Sequence, residues 1–198
     1  VRARRKVLMA LAQDVIMAGG GFSLPRPRPN GPPYFGRNQV ASALHQVGVL
    51  LELADANVFR IRSYQNGSRT LGTLTDDLWE LVETGRLVEI KGIGKGLASG
   101  IEQAMREGAW PSDWVDLHDN TPPGMLDMLD IPGLGPKRIR VMHEELGVSS
   151  IADLREACES GQVAELKGFG AKTQTRLLDG IDLLARFRSR RRLDIGLM

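Results

Sequence analysis

The residues with the clearest chemical meaning are three Gly-x-Gly tripeptides, Gly92-Ile93-Gly94, Gly133-Leu134-Gly135 and Gly168-Phe169-Gly170. Glycine permits positive φ and lets another chain approach the backbone closely. A helix that starts just after such a turn presents unpaired N–H groups and the positive end of its dipole. Each tripeptide therefore predicts a phosphate site that needs no net charge on the protein.

The sequence around these tripeptides repeats as well. In each copy a short apolar segment comes before the glycines and a longer amphipathic segment follows them. The first glycines are 41 and 35 residues apart. A single Gly-x-Gly is usually only a turn, but three copies in one frame favour a shared function. Basic residues that could add charge at the second helices are Lys95, Lys137, Arg138 and Lys172. The middle residues Ile93, Leu134 and Phe169 are expected to point into the core, and Pro136 suits a first helical turn.

Other site chemistries fit the sequence poorly. A P-loop requires glycine directly before its lysine, where this chain has Ala171 before Lys172. The three histidines and the single Cys158 lack the spacing of zinc ligands. The acidic pairs Asp76-Asp77 and Glu144-Glu145 are interpreted as helix-end or solvated residues. No catalytic residue is predicted.

Charge is distributed unevenly along the chain. Residues 1–37 carry seven Lys/Arg and one acid, residues 186–198 carry five Arg and one Asp, and the body between them has 14 bases and 22 acids. An acidic body cannot coat DNA by bulk charge, so any binding of DNA by this body must use local sites. The apolar stretch near the N-terminus is interrupted by Gln13 and Asp14, which favours a cytoplasmic, nucleoid-associated protein over a secreted or membrane protein.

The rest of the sequence indicates an all-α fold of tandem helix-hairpin-helix modules with basic flexible ends. Five prolines in residues 24–33 exclude helix, so residues 1–37 are predicted to form a loosely attached arm. Helices are predicted from Asn38, over 58–72 after Asn57, and over 76–84 with Gly85 as the stop. The predicted domains are a small helical domain over 38–117, a second domain over 118–182 with two hairpins, and a basic tail over 183–198.

Four segments together resemble the family X DNA polymerases of bacteria and archaea: LLELADANVFRIRSYQNGSRTL (50–71), KGIGKGLASGIEQAMREG (91–108), IPGLGPKRIRVMHEELGV (131–148) and LKGFGAKTQTRLLDGI (166–181). The resemblance covers 38–182 and implies a lyase-type domain followed by a fingers-type domain. It implies contacts of Arg60 and Tyr64 with a 5′ phosphate. It also implies a sodium or potassium ion held by the carbonyls of Ile90, Ile93, Ile131 and Leu134.

Two departures from the family pattern limit the catalytic expectations. Only sixteen residues follow position 182, with Asp194 as their one acid, so the palm and the phosphoesterase domain are expected to be absent. Gly100 stands where family members with lyase activity have the Schiff-base lysine. The sequence therefore favours sequence-independent DNA binding in repair at gaps or nicks, with other repair proteins as further partners. The alternatives are the front fragment of a polymerase, a lyase on abasic sites that uses Lys91 or Lys95, and a protein-docking module.

Overall fold

The computed structural model describes residues 22–23, 25–28 and 31–195, with the backbone alone for 26–28, 31–33 and 188–195. The chain divides into two compact units, residues 1–120 and residues 121–198. Helices dominate both units, which confirms the predicted all-α fold class. The sequence analysis did not predict the two-stranded hairpin that precedes the helices of the first unit. Within the described residues, no helix has the length and apolarity needed to cross a bilayer.

The first unit contains a short antiparallel hairpin, β1 (Arg26–Arg28) and β2 (Gly31–Tyr34), and then six helical elements. These are α1 (Arg37–Leu53), α2 (Val58–Thr73), α3 (Leu78–Glu83), a 3₁₀ helix (Arg86–Glu89), α4 (Lys95–Glu107) and α5 (Ser112–Asp119).

The hairpin and its flanks are packed against the helices. Phe35 is 1% exposed and stacks on Trp110 with ring centroids 3.8 Å apart. Phe22 is buried beside the same indole, whose Nε1 donates to the carbonyl of Ser23 at 3.0 Å. The predicted loose arm is therefore wrong for residues 22–23, 25–28 and 31–36, because two aromatic side chains anchor this extended part of the chain. Residues 1–21 lie outside the described part of the chain.

Helix ends in this unit are set by local hydrogen bonds. Asn57 accepts from the N–H of Phe59 at 2.8 Å, and Asp77 accepts from those of Trp79 and Glu80, so each residue caps the helix that follows it. Gly85 stops α3 with φ +68°. The helix predicted from Asn38 begins one residue earlier, at Arg37, so Asn38 does not cap it, and the N–H of Gly36 donates to Oε1 of Gln39 at 2.9 Å.

The core of the first unit is built on the α1–α2 pair. The predicted helical face of α1 is buried throughout, since Val40, Leu44, Val47 and Leu51 are each at most 2% exposed. Gly67 lets α2 approach α4 closely, because a Cβ there would lie 2.3 Å from Cδ2 of Leu97.

The second unit is wholly helical in its described residues. Its helices are α6 (Pro123–Met128), α7 (Pro136–Leu146), α8 (Ile151–Glu159), α9 (Gln162–Glu165) and α10 (Ala171–Ile195). Met125, Met128 and Met142 are buried, as their spacing predicts. A Cβ on Gly180 would lie 2.9 Å from Cγ2 of Ile131, so α10 passes close to the turn that precedes α7.

The C-terminal residues continue α10. The boundary predicted at residue 182 is not a break in structure, because the same helix runs from Ala171 through Ile195. The separate tail predicted over 183–198 is therefore wrong for residues 183–195. The end of α10 extends beyond the core of the second unit. Ile181 is 3% exposed, whereas Leu183 and Phe187 are 42% and 57% exposed.

Candidate nucleic-acid interface

The three Gly-x-Gly segments fold into turns with one backbone geometry. The first glycines, Gly92, Gly133 and Gly168, have φ of +99°, +81° and +85°. In each turn the N–H of the middle apolar residue donates to the carbonyl three residues before it, at 3.0, 3.1 and 3.0 Å. Residues that carry a side chain rarely adopt such positive φ values, so the turn itself requires glycine at its first position.

The second glycine of each turn has a different role. Gly94 and Gly135 have φ of −80° and −99°, which any residue can adopt. A Cβ on Gly94, Gly135 or Gly170 would meet no atom of the residues that the structure describes within 4 Å. Neither the local backbone nor internal packing calls for glycine at these positions. The space beside each helix start is therefore available for a group that approaches from outside.

The starts of α4, α7 and α10 favour an anion. None of them carries an acidic residue in its first turn. Lys95, Lys137 and Lys172 are exposed in those first turns. Backbone N–H groups, the helix dipole and a lysine thus meet at each start.

The middle residues of the turns differ in burial. Ile93 and Leu134 are 3% and 5% exposed, as predicted. Phe169 is only half-buried, and the guanidinium of Arg138 lies 5.9 Å from the centre of its ring. Nη1 of Arg138 also donates to the carbonyl of Gly133 at 3.3 Å. Arg138 therefore connects the second and third hairpins.

The two side chains that the resemblance assigns to a 5′ phosphate both contact α5. Nη2 of Arg60 lies 3.9 Å from Oδ2 of Asp113, and both side chains remain more than half exposed. The Tyr64 hydroxyl accepts from Nε1 of Trp114 at 3.0 Å. At this separation the Arg60 ion pair is weak, so the guanidinium can exchange its partner for a phosphate.

Trp114 also accounts for the glycine at position 100. Its indole is 2% exposed, and a Cβ on Gly100 would lie 2.9 Å from Cζ2 of that ring. The Trp114 ring thus takes the space that a longer side chain at position 100, such as the lyase lysine of the resemblance, would need. The sequence alone did not indicate this pairing, because the two residues are fourteen positions apart and on different helices.

Sequence reasoning also missed an exposed aromatic residue beside Arg60. Phe59, at the start of α2, is 77% exposed, and its neighbour Val58 is 56% exposed. Residues 58–73 contain three arginines and no acid. Arg62 and Arg69 are exposed and lie seven positions apart, on one face of the helix. The missed signal was the absence of acids from a helix within an acidic body.

The turns also contain the carbonyls expected to hold a monovalent cation. The carbonyls of Ile90 and Ile131 accept the turn hydrogen bonds from Ile93 and Leu134. A carbonyl oxygen has two lone pairs, so each keeps one acceptor position for an ion. Carbonyl oxygens are ligands that a sodium or potassium ion accepts, and the site stays a prediction.

Comparison with known proteins agrees with this arrangement. Residues 36–109 match the family described as a helix-hairpin-helix domain, and residues 125–182 match the SAM-like helix-hairpin-helix tandem. The chain is similar to the DNA polymerase/3′-5′ exonuclease PolX of Bacillus subtilis, with 32% identity over 145 residues. The alignment covers 73% of this chain and 25% of that protein, so the chain spans about a quarter of its curated relative. Residues 36–109 and 125–182 are therefore helix-hairpin-helix regions, and the chain is similar to part of a family X DNA polymerase.

Proposed function

We propose that the chain binds DNA without reading its sequence, by holding backbone phosphates at its three helix-hairpin-helix turns, and that it acts in repair at gaps or nicks. One observation carries the proposal. All three turns have the same backbone geometry, and each leaves space beside its second glycine that no described residue fills. A phosphate oxygen that accepts backbone N–H groups needs this close access.

The acidic body agrees with phosphate binding at local sites. Contacts to phosphate fix a protein on DNA but carry no sequence information. Backbone N–H groups can make such contacts without a continuous basic surface. The lysines at the three helix starts add charge only at those points.

A preference for interrupted duplex is supported by the first unit. Phe59 is exposed, and the neighbouring Arg60 is held only by a loose ion pair. Bases with an exposed face can stack on an aromatic side chain, and intact duplex offers few of them. We therefore expect gapped or nicked DNA to bind better than intact duplex. Repair proteins are expected partners, and the cytoplasmic nucleoid is the expected location.

The alternatives concern catalysis. As the front part of a polymerase, this region would position DNA for an active site formed by other residues. A lyase activity on abasic DNA is disfavoured, since Trp114 fills the space at Gly100. Lys91 and Lys95 are exposed, and a Schiff-base lysine has to be desolvated or placed beside another charge to lose its proton.

Fluorescence anisotropy with intact, nicked and one-nucleotide-gapped duplexes of one sequence tests the proposal. Each neutralised phosphate contributes about 0.9 to the slope of log affinity against log salt, so three turns and the basic ends predict about −3 to −6. Equal affinity for scrambled sequences is expected. A salt-independent affinity would contradict phosphate binding, and equal affinity for the three duplexes would contradict the gap preference.

A further inference from the structure

The second hairpin differs from the other two at the first residue of its second helix. The first residue of α7 is Pro136, whereas α4 begins with Lys95 and α10 begins with Ala171. Proline has no backbone N–H, so the start of α7 offers one backbone donor fewer than the starts of α4 and α10. A phosphate at the second hairpin therefore depends more on side-chain donors than a phosphate at either of the others.

The second hairpin also has a side-chain donor that the other two lack. Arg138 is the third residue of α7, and the corresponding residues are the buried Leu97 on α4 and Thr173 on α10. A guanidinium carries five N–H donors in a planar fork that matches a phosphate. Arg138 is exposed and forms no ion pair with a carboxylate of any residue that the structure describes. Its charge is therefore available to an anion from outside the protein.

Two contacts hold the Arg138 side chain in place. Its Nη1 donates to the carbonyl of Gly133 at 3.3 Å, and its Cζ lies 5.9 Å from the centre of the Phe169 ring. A cation within about 6 Å of the centre of an aromatic ring is attracted to that ring. The first contact belongs to the second turn and the other to the third turn, so the guanidinium is held between two turns of the same unit.

Phe169 differs from its counterparts in a way that fits this contact. The middle residues of the first two turns, Ile93 and Leu134, are aliphatic and almost fully buried. Phe169 is aromatic and only half-buried. Partial exposure leaves ring surface outside the core, and Arg138 is a cation that lies over it. An aliphatic residue in the third turn could fill the core, but it could not attract a guanidinium.

We propose that Phe169 is a positioning residue that holds Arg138 ready for a phosphate at the second hairpin. The proposal rests on the proposed DNA binding and says how one of its phosphate sites is completed. The guanidinium supplies the donor that Pro136 lacks, and the ring restricts its movement before DNA arrives. Less side-chain entropy is then lost on binding. The third hairpin thus contributes to the second phosphate site as well as forming its own.

Fluorescence anisotropy with intact duplex tests the proposal on the full chain, two single variants and the double variant. Arg138→Ala should weaken binding about tenfold or more, as expected when hydrogen bonds to a charged group are lost. It should also make the salt slope shallower by about 0.9. Phe169→Leu should weaken binding about two- to fivefold, the size of an exposed cation–π contact. In the Arg138→Ala background, Phe169→Leu should have no further effect.

A conservative variant separates positioning from packing. Phe169→Tyr keeps the ring at the same position, so it should bind DNA like the unmodified chain. Thermal unfolding of every variant checks that the second unit remains folded. A third turn that is merely loosened by leucine would weaken DNA binding to the same extent with and without Arg138, whereas lost positioning weakens it only when Arg138 is present.

Two outcomes would overturn the proposal. The first is an Arg138→Ala variant with unchanged affinity and salt slope, which would mean that the guanidinium holds no phosphate. The second is a Phe169→Leu effect that is absent or is the same in both backgrounds, which would mean that the ring does not position Arg138. The unmodified chain tests the proposed function separately. If it binds DNA with the expected salt dependence, either outcome concerns only these two residues.

Discussion

The indole of Trp114 lies where a side chain on Gly100 would begin, with Cζ2 2.9 Å from the position of a Cβ there. Trp114 is almost fully buried and donates to the Tyr64 hydroxyl. In the sequence, Gly100 stands only where a lysine nucleophile is missing. In the structure, the absence of a side chain at Gly100 makes room for the Trp114 ring. A lysine introduced at position 100 is therefore not expected to form a Schiff-base site.

Gly100→Lys is expected to destabilise the first unit. Overpacking a core lowers the free energy of unfolding by about 1–3 kcal/mol. The Trp114 indole cannot move aside without losing its hydrogen bond to Tyr64. The matched control is Gly96→Lys on the same helix, where a Cβ meets no atom within 4 Å and the residue is exposed. Thermal unfolding of both variants is the measurement. Equal midpoints would show that the Trp114 contact is not tight.

Borohydride trapping on a 5′-deoxyribose-phosphate substrate should give no adduct with the unmodified chain, and none with Gly100→Lys. A covalent adduct that disappears in Lys95→Ala or Lys91→Ala would contradict this and make the protein a lyase.

Gly94→Val and Gly135→Val should each weaken DNA binding more than Lys95→Ala does. Valine can adopt φ of −80° and −99° at these positions and meets no neighbour, so the fold is retained. Its branched side chain would occupy the space that a phosphate needs. Hydrogen bonds to a charged group contribute about 1.5–3 kcal/mol, so a loss of about tenfold or more in affinity is expected. If Lys95→Ala is the worse variant, the site depends on charge and the geometric account is wrong.

Phe59→Ala should lower affinity for gapped DNA and leave affinity for intact duplex nearly unchanged. Stacking of one base on an aromatic side chain contributes about 1–3 kcal/mol. Val58→Ala changes the adjacent exposed apolar residue and is the control. Both variants should unfold like the unmodified chain, since neither side chain is in the core. An equal loss on gapped and intact DNA would rule out base stacking by Phe59.

The two N-terminal truncations should behave differently. Removing residues 1–21 takes away four Lys/Arg and one Asp, and should reduce affinity for any DNA. Removing residues 1–36 also removes the buried side chains of Phe22 and Phe35. Loss of one buried Phe lowers the free energy of unfolding by about 3–5 kcal/mol, so this truncation should unfold at a lower temperature. Calorimetry and anisotropy on both truncations are the measurements. Similar midpoints for the two would mean that the hairpin is dispensable.

The sequence by itself determined the features of this protein that depend on neighbouring residues. The turns at Gly92, Gly133 and Gly168 follow from a local need for positive φ, and the caps at Asn57 and Asp77 follow from hydrogen bonds that span two or three residues. The repeat of one such unit indicated the phosphate-binding candidates.

The features that only the tertiary structure decided join residues far apart in the chain. Proline-rich sequence excluded helix over 24–33 but could not indicate that Phe35 stacks on Trp110, 75 residues later. The contact of Trp114 with Gly100 arises in the same way. Such contacts depend on which helix faces meet in the folded unit, and the spacing of residues within one helix does not carry that information.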